Sequence, residues 1–422
     1  MRRVGLMFHA LALTTSFVLL AAPAPAPATA PLPQPLTLAQ AMAHASAHRP
    51  ELVRLRATAA ADAQRATQAG ASTPPMIMAG IDKLPIMLHG VDFMIQAQYG
   101  FPLNDVRAAE ANAARKRAAV SDADVALAAM DVPESAALAF LDLWQAERRI
   151  ASMDKALGLT EVARTLALQR FSAGAAGQGD VLRAETEHAA LTGNRAVAVA
   201  MLAGRRAGLA SALGLESGAE TLQIADPPAS LLAAGDAAAA TSAEQARAEA
   251  EVSAAAAQAA AASERYGAEL LLQGGAMIST MEPPSLLAMV GFSFPFAGEV
   301  RDAAREEAEA RLVAARAGAR ETTLAQTRRE AEAVAELAAA RTLREVLETQ
   351  VRPRAEQAVS LLSQGYAAGR EDIGALLDAE RTLVSLEGQI VDARAEVLRR
   401  ELRLARVRGL PIFMPPPPEG VK

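Results

Sequence analysis

The chain has no cysteine, one tryptophan, three tyrosines and five histidines, and aromatic residues make up 3% of its 422 positions. Without cysteine there can be no disulfide, no thiolate metal ligand, no Cys nucleophile and no lipid anchor on an N-terminal Cys. Few aromatics beside abundant alanine suit closely packed helices better than a thick globular core. His44 and His48 stand at i, i+4, which is half of a metal site, while His89 and His188 are isolated, so no metal centre is expected. A nucleophile elbow and an H-E-x-x-H run are missing. The glycine cluster at 174–179 lacks the Gly-Lys-Ser/Thr end of a phosphate loop, so neither catalytic residues nor a cofactor are expected. The formal net charge of −6, with 42 basic against 48 acidic residues, argues against a nucleic-acid partner.

The first 30 residues read as an export signal. Arg2 and Arg3 form a positive start, Leu6 to Ala22 an apolar stretch, and Ala28-Thr29-Ala30 a small-residue cleavage site. Beyond it no run of about 18 apolar residues is apparent, so no transmembrane helix is expected in the mature chain. A Pro-rich linker (Pro31 to Pro35) and a Pro-rich tail from 410 to 422 bracket the rest.

Two stretches organise that remainder. Phe171-Ser-Ala-Gly174 leads through Asp180 to Leu182-Arg-Ala184-Glu185, and Tyr366-Ala-Ala-Gly369 leads through Asp372 to Leu377-Asp378-Ala379-Glu380. Each lies between long helical segments, so each reads as the tip of a helical hairpin, and the pair reads as a tandem duplication. We expect a first repeat at 31–214 with strands at about 76–101 and a tip at about 171–180. A connector follows at 215–239, then a second repeat at 240–409 with strands at about 268–296 and a tip at about 366–372. Pro50 breaks the first helix at Arg49, and Pro133 and Pro353 interrupt later ones. About 67 helical residues after Asn104 would span on the order of 100 Å. Leu143, Ala146, Ile150, Met153 and Leu157 fall at coiled-coil spacing.

The strand segments alternate strictly. Phe93, Ile95, Ala97, Tyr99 and Phe101 share one face, with Asp92, Met94, Gln96 and Gln98 on the other. Leu286, Ala288, Val290, Phe292 and Phe294 repeat the pattern opposite Leu287, Met289 and Gly291. Four strands of about ten residues suit a bilayer crossing in barrel form, but cannot close a barrel alone. The fold expected is mainly α with a small β part: duplicated long coiled-coil helices plus four strands per protomer, with several protomers sharing one barrel.

The order of Leu36-Thr37-Leu38, Pro50-x-Leu52, the strand exits Phe101-Pro102-Leu103 and Phe294-Pro295-Phe296, and the two tips resembles the TolC family of outer-membrane efflux proteins. The resemblance covers about Leu36 to Gly409. It implies a homotrimer in outer-membrane lipid, with a 12-stranded barrel and an α-helical periplasmic tunnel. The implied partners are a periplasmic adaptor and an inner-membrane pump of the RND type; the implied role is a passive conduit, not an enzyme. It also implies a closable tip, in which Tyr366 and Asp180 take the places of a latch pair. Glu371 stands where the family pattern has an arginine. Asp378 matches one aspartate of an acidic constriction, while Ala375 replaces the other, leaving Asp372 or Glu371 as substitutes. Read from the residues alone, Asp180 after Gly179 is also an ordinary helix N-cap.

Methionine is the unusual feature of the strands. Met94 and Met289 lie opposite the apolar stripe, facing the lumen, and thioethers prefer soft ions such as copper(I) or silver(I). The start Met76-x-Met78-x-Gly80 also resembles heavy-metal branches of the family. Methionine equally fills irregular space. Drug efflux and type I protein secretion remain alternative cargoes. An exported, non-transporting coiled-coil protein would account for the helices but leave the amphipathic strands unexplained.

Overall fold

In a computed structural model, residues 32–83, 92–216, 218–232, 242–279, 283–294 and 298–410 are described. The signal segment with its cleavage site, Pro295-Phe296 and the tail beyond Leu410 lie outside them. The order is α1 (Leu38–His48), α2 (Pro50–Gly70), β1 (Met76–Lys83), β2 (Asp92–Pro102), α3 (Val106–Ser172) and α4 (Gln178–Leu213). Then come α5 (Ala243–Glu264), β3 (Glu269–Ser279), β4 (Ser285–Ser293), α6 (Gly298–Val346), α7 (Arg352–Ala367) and α8 (Ile373–Val407). Each half therefore runs helix, strand pair, long helix, tip, returning helix.

The two halves start alike at atomic level. Thr37 caps α1 and Ser242 caps α5, and each closes a capping box with a glutamine three residues on, Gln40 and Gln245. Arg49, held extended by the proline after it, separates α1 from α2 and donates from Nη1 to the Ala212 carbonyl at 2.9 Å. Helix α3 continues unbroken through Pro133 for 67 residues. Before Pro353 the chain instead forms a π-helical turn, Leu347–Val351, because proline supplies no N–H and crowds the carbonyl one turn back.

The main core gathers where α1, α3, α4 and α8 meet, around Leu38, Phe140, Leu141, Leu213 and Leu402. Lower on α3 the seam shifts from the expected residues. Ala146, Ile150, Met153 and Leu157 are only half-buried, and Ala156, Thr160, Ala163 and Ala167 are buried instead, at the same 4-3-4 spacing. Small side chains at those positions let neighbouring helices approach closely. Helix α4 also contains a stretch long and apolar enough, by length and composition, to cross a membrane, which corrects the expectation from the sequence. Its alanines raise the hydropathy, and it packs antiparallel along α3 as the return arm of the hairpin.

Helix α8 carries its apolar residues at heptad spacing: Ile373, Leu376, Leu383, Leu386, Ile390 and Val397 are all buried. Two carboxylates occupy the same seam. Glu401, 1% exposed, accepts from Ser230 Oγ at 3.1 Å, the Leu231 amide at 2.7 Å and Arg341 Nη2 at 2.7 Å. It thereby ties the connector to α6 and α8. Removing its carboxylate leaves the Ser230 hydroxyl and the Leu231 amide without their acceptor, at about 1–3 kcal/mol for each buried group left unsatisfied. Glu401→Ala is therefore expected to lower the unfolding midpoint of the purified protein in detergent, with Glu401→Gln, which keeps an acceptor oxygen, losing less. Equal midpoints for all three proteins would contradict this role.

Candidate functional site: the hairpin tips and the strand sheet

The two tips are built the same way. At the first, the Gly174 amide donates to the Phe171 carbonyl at 2.9 Å and the Ala175 amide to Arg170 at 2.8 Å. At the second, Gly369 donates to Tyr366 at 3.0 Å and Arg370 to Gly365 at 2.8 Å. Both are Schellman turns, with glycine in the left-handed region at φ 70° (Gly174) and 74° (Gly369). These turns reverse α3 into α4 and α7 into α8, and bring the two tips side by side.

Between them lies Tyr366, 1% exposed, packed with Ala163, Ala167, Val181, Ile373 and Leu377. Asp180 stands near enough for its charge to act on the phenol. Burial first, and then the Asp180 charge, push the phenol pKa up, yet the hydroxyl makes no bond that satisfies both distance and angle. Asp180 is not the cap of α4: Gly177 is, and Asp180 sits in the first helical turn, where its charge favours the helix dipole. The cap role falls to Asp372 at the second tip, whose carboxylate accepts from the Gly374 amide at 2.8 Å. Glu371 is exposed.

What joins the tips is a residue the sequence reading passed over. Arg170, on the last turn of α3, donates from Nη1 to the Tyr366 carbonyl at 2.6 Å and from Nη2 to the Ala175 carbonyl at 3.1 Å. Its guanidinium lies 4.5 Å from the Tyr366 ring centroid. One cation thus holds both Schellman turns and the ring between them. Arginine five residues before the first-tip Ala175 is unremarkable in sequence; only the apposition of the tips gives it meaning.

Asp378 is exposed and pairs with Arg381 at 3.0 Å, and Arg381 reaches on to Glu187 of α4 at 2.5 Å. Beside this bridge is Glu380, 4% exposed, with Oε2 unpartnered. Burial, reinforced by the Glu187 charge, pushes its pKa up to about 7. A carboxyl raised above its ordinary value favours the folded state only while protonated. The contribution is complete below about pH 4.5 and is lost as pH rises through about 7, on the order of 3 kcal/mol at most. Glu380→Gln is therefore expected to raise the unfolding midpoint at about pH 8 and to leave it unchanged near pH 4. A midpoint difference independent of pH would show that the carboxyl does not titrate in this range.

The strands form one antiparallel sheet in the order β1-β2-β3-β4. Its register places Met94 opposite Met277, Met78 opposite Gln96, and Met289 opposite Gln273. One face carries Ile77, Phe93, Ile95, Leu272, Leu286 and Val290, exposed by 39 to 90%. The opposite face carries Asp92, Gln96, Gln98 and Gln273, with all five strand methionines (Met76, Met78, Met94, Met277 and Met289). Among the described residues nothing pairs with the outer edge of β1 or of β4. His44 and His48 stack with centroids 4.2 Å apart and gather no acidic ligand; the described residues contain no group of three or more His, Asp or Glu able to hold a metal.

No protein-family model and no curated protein sequence matches the chain. Solved structures do. The outer-membrane protein VceC from Vibrio cholerae superposes with a TM-score of 0.76 at 20% identity, over 89% of this chain and 97% of that one. The MtrE outer-membrane channel of Neisseria gonorrhoeae, in an open state, gives 0.73 at 18%, over 88% and 89%. The CmeC outer-membrane channel of Campylobacter jejuni gives 0.75 at 11%, over 88% and 85%. Over nearly its whole length the chain therefore shares the fold of these outer-membrane channels, the TolC-type fold.

Proposed function

We propose that the protein is the outer-membrane conduit of a tripartite efflux system, working as a homotrimer. The observation that carries this reading is the sheet: one face is apolar, the other carries Asp92 and three glutamines among methionines and leucines, and among the described residues both edges are unpaired. Unpaired strand edges are prohibitive in lipid, so β1 of one copy must pair with β4 of the next, and three copies make twelve strands. Helices of 67 and 49 residues carry the channel about 70–100 Å below the membrane. The chain then lies in the outer membrane with a periplasmic extension, after export by a signal cleaved near Ala30. An adaptor and an RND-type inner-membrane pump would meet it at the tips. Passage is passive: the channel supplies the path and the pump the driving force.

The tips are its gate. In this proposal Arg170 is the clasp, holding both turns around the Tyr366 ring, with Asp180 beside the phenol as added charge and not as its bonded partner. Glu371, Asp372 and Asp378 add negative charge at the entrance, where it favours cations. The five inward methionines favour heavy-metal ions over drugs or polypeptides as cargo, because thioethers are soft ligands.

Planar-bilayer conductance of the purified protein tests the gate. Arg170→Ala removes a clasp with three contacts to the tip and is expected to raise conductance several-fold. Tyr366→Phe removes only a hydroxyl without a well-formed bond and is expected to change it little. A silent Arg170→Ala beside a strongly opened Tyr366→Phe would place the latch on the hydroxyl and remove the clasp from the account.

A further inference from the structure

The inward face of the sheet is not uniform. Met94 of β2 and Met277 of β3 are direct cross-strand partners, which puts their Cβ atoms about 4.5–5.5 Å apart. Met78 of β1 pairs with Gln96 and so lies diagonal to Met94, about 7–8 Å away. These three are half-buried, whereas Met76 and Met289 are 61% and 50% exposed. Met94 and Met289, the two singled out from the sequence, are separated by the whole of β3 and do not form a pair.

Glycine gives the three thioethers room. Gly80 is the direct partner of Met94, and a Cβ there would meet nothing within 4 Å, so the wall beside the sulfurs is open. Gly275 faces inward opposite Gln96, where a Cβ would fall 2.9 Å from the Gln96 Cβ, so only glycine lets β2 and β3 close at this level. Gln273 donates across to Gln96 and ties the neighbouring side chains into a fixed border. Three flexible, polarisable side chains thus share one patch of the inward face, beside the open space at Gly80.

We propose that Met78, Met94 and Met277 form a three-thioether site for a soft monovalent cation, copper(I) or silver(I), on the lumen wall of each protomer. It rests on the conduit reading, since the face becomes a lumen only when the barrel closes. Binding exchanges bound water for neutral sulfur ligands, without any change of oxidation state. Loose coordination, open to the lumen on one side, gives a stepping site and not a trap.

The test is silver(I) titration of the purified full-length protein in detergent, with sulfur ligation read by X-ray absorption and conductance recorded on the same sample. One silver ion per protomer in an all-sulfur shell is expected. Met94→Leu or Met277→Leu should weaken binding at least tenfold, while Met76→Leu and Met289→Leu should not. A conducting protein that binds no silver, or whose binding survives both Met94→Leu and Met277→Leu, would overturn the site and leave the conduit standing. A folded protein that binds silver as expected but never conducts would overturn the conduit instead.

Discussion

The structure depends on the backbone groups along the free edges of β1 and β4. Among the described residues of one chain the sheet is four strands wide and ends on both sides in unpaired N–H and C=O groups, while its apolar face carries Leu, Ile, Val and Phe. That combination is stable neither in water, where the apolar face is exposed, nor in lipid, where the edges are. Only closure with further copies satisfies both. Apolar residues are also exposed along α4 and α6, among them Val197, Met201, Val313 and Leu324, and in the proposed assembly these would meet neighbouring copies.

Helix α8 shows how one seam can be firm at one level and yielding at another. Both Glu380 and Glu401 occupy apolar heptad positions and both are almost fully buried. Glu401 is matched by a hydroxyl, an amide and a guanidinium, and anchors the point where the connector crosses the helices. Glu380 is held near Glu187 with an oxygen unpartnered, so its burial opposes ionisation and weakens the helix packing just above the tip. The proposed gating, open at the end and closed at the middle, would use this difference. Arg170 supplies the compensating grip, through two carbonyls and an aromatic face.

Much of the architecture was legible because it is periodic. Strict alternation from Phe93 to Phe101 announces a strand between two environments, and Gly174 and Gly369 mark turns that need a left-handed residue. Asp180, Tyr366 and Asp372 do come together at the tips. What escaped was pairwise. Arg170, Glu380 and Glu401 look like ordinary helix surface residues until a neighbouring element covers them, since single-helix periodicity does not say what lies across the seam. The methionines show the same limit: alternation places Met94 and Met289 on the inner face, but only the register of β2 against β3 brings Met94 to Met277. The expected seam through Ile150, Met153 and Leu157 gives way further along α3 to a buried line of small residues, Ala156, Thr160, Ala163 and Ala167, which lets neighbouring helices approach closely.

The most direct measurement is cysteine crosslinking across the open edges, which the cysteine-free chain permits without background. One cysteine would replace Ile77 on β1 and a second would be scanned from Leu286 to Phe292 on β4, in outer membranes of intact cells. Closure of β1 onto β4 between copies should give covalent dimers and trimers, and no larger species, at alternate positions of the scan. A chain that reaches the outer membrane and stays monomeric at every position would contradict the shared barrel, and with it the conduit.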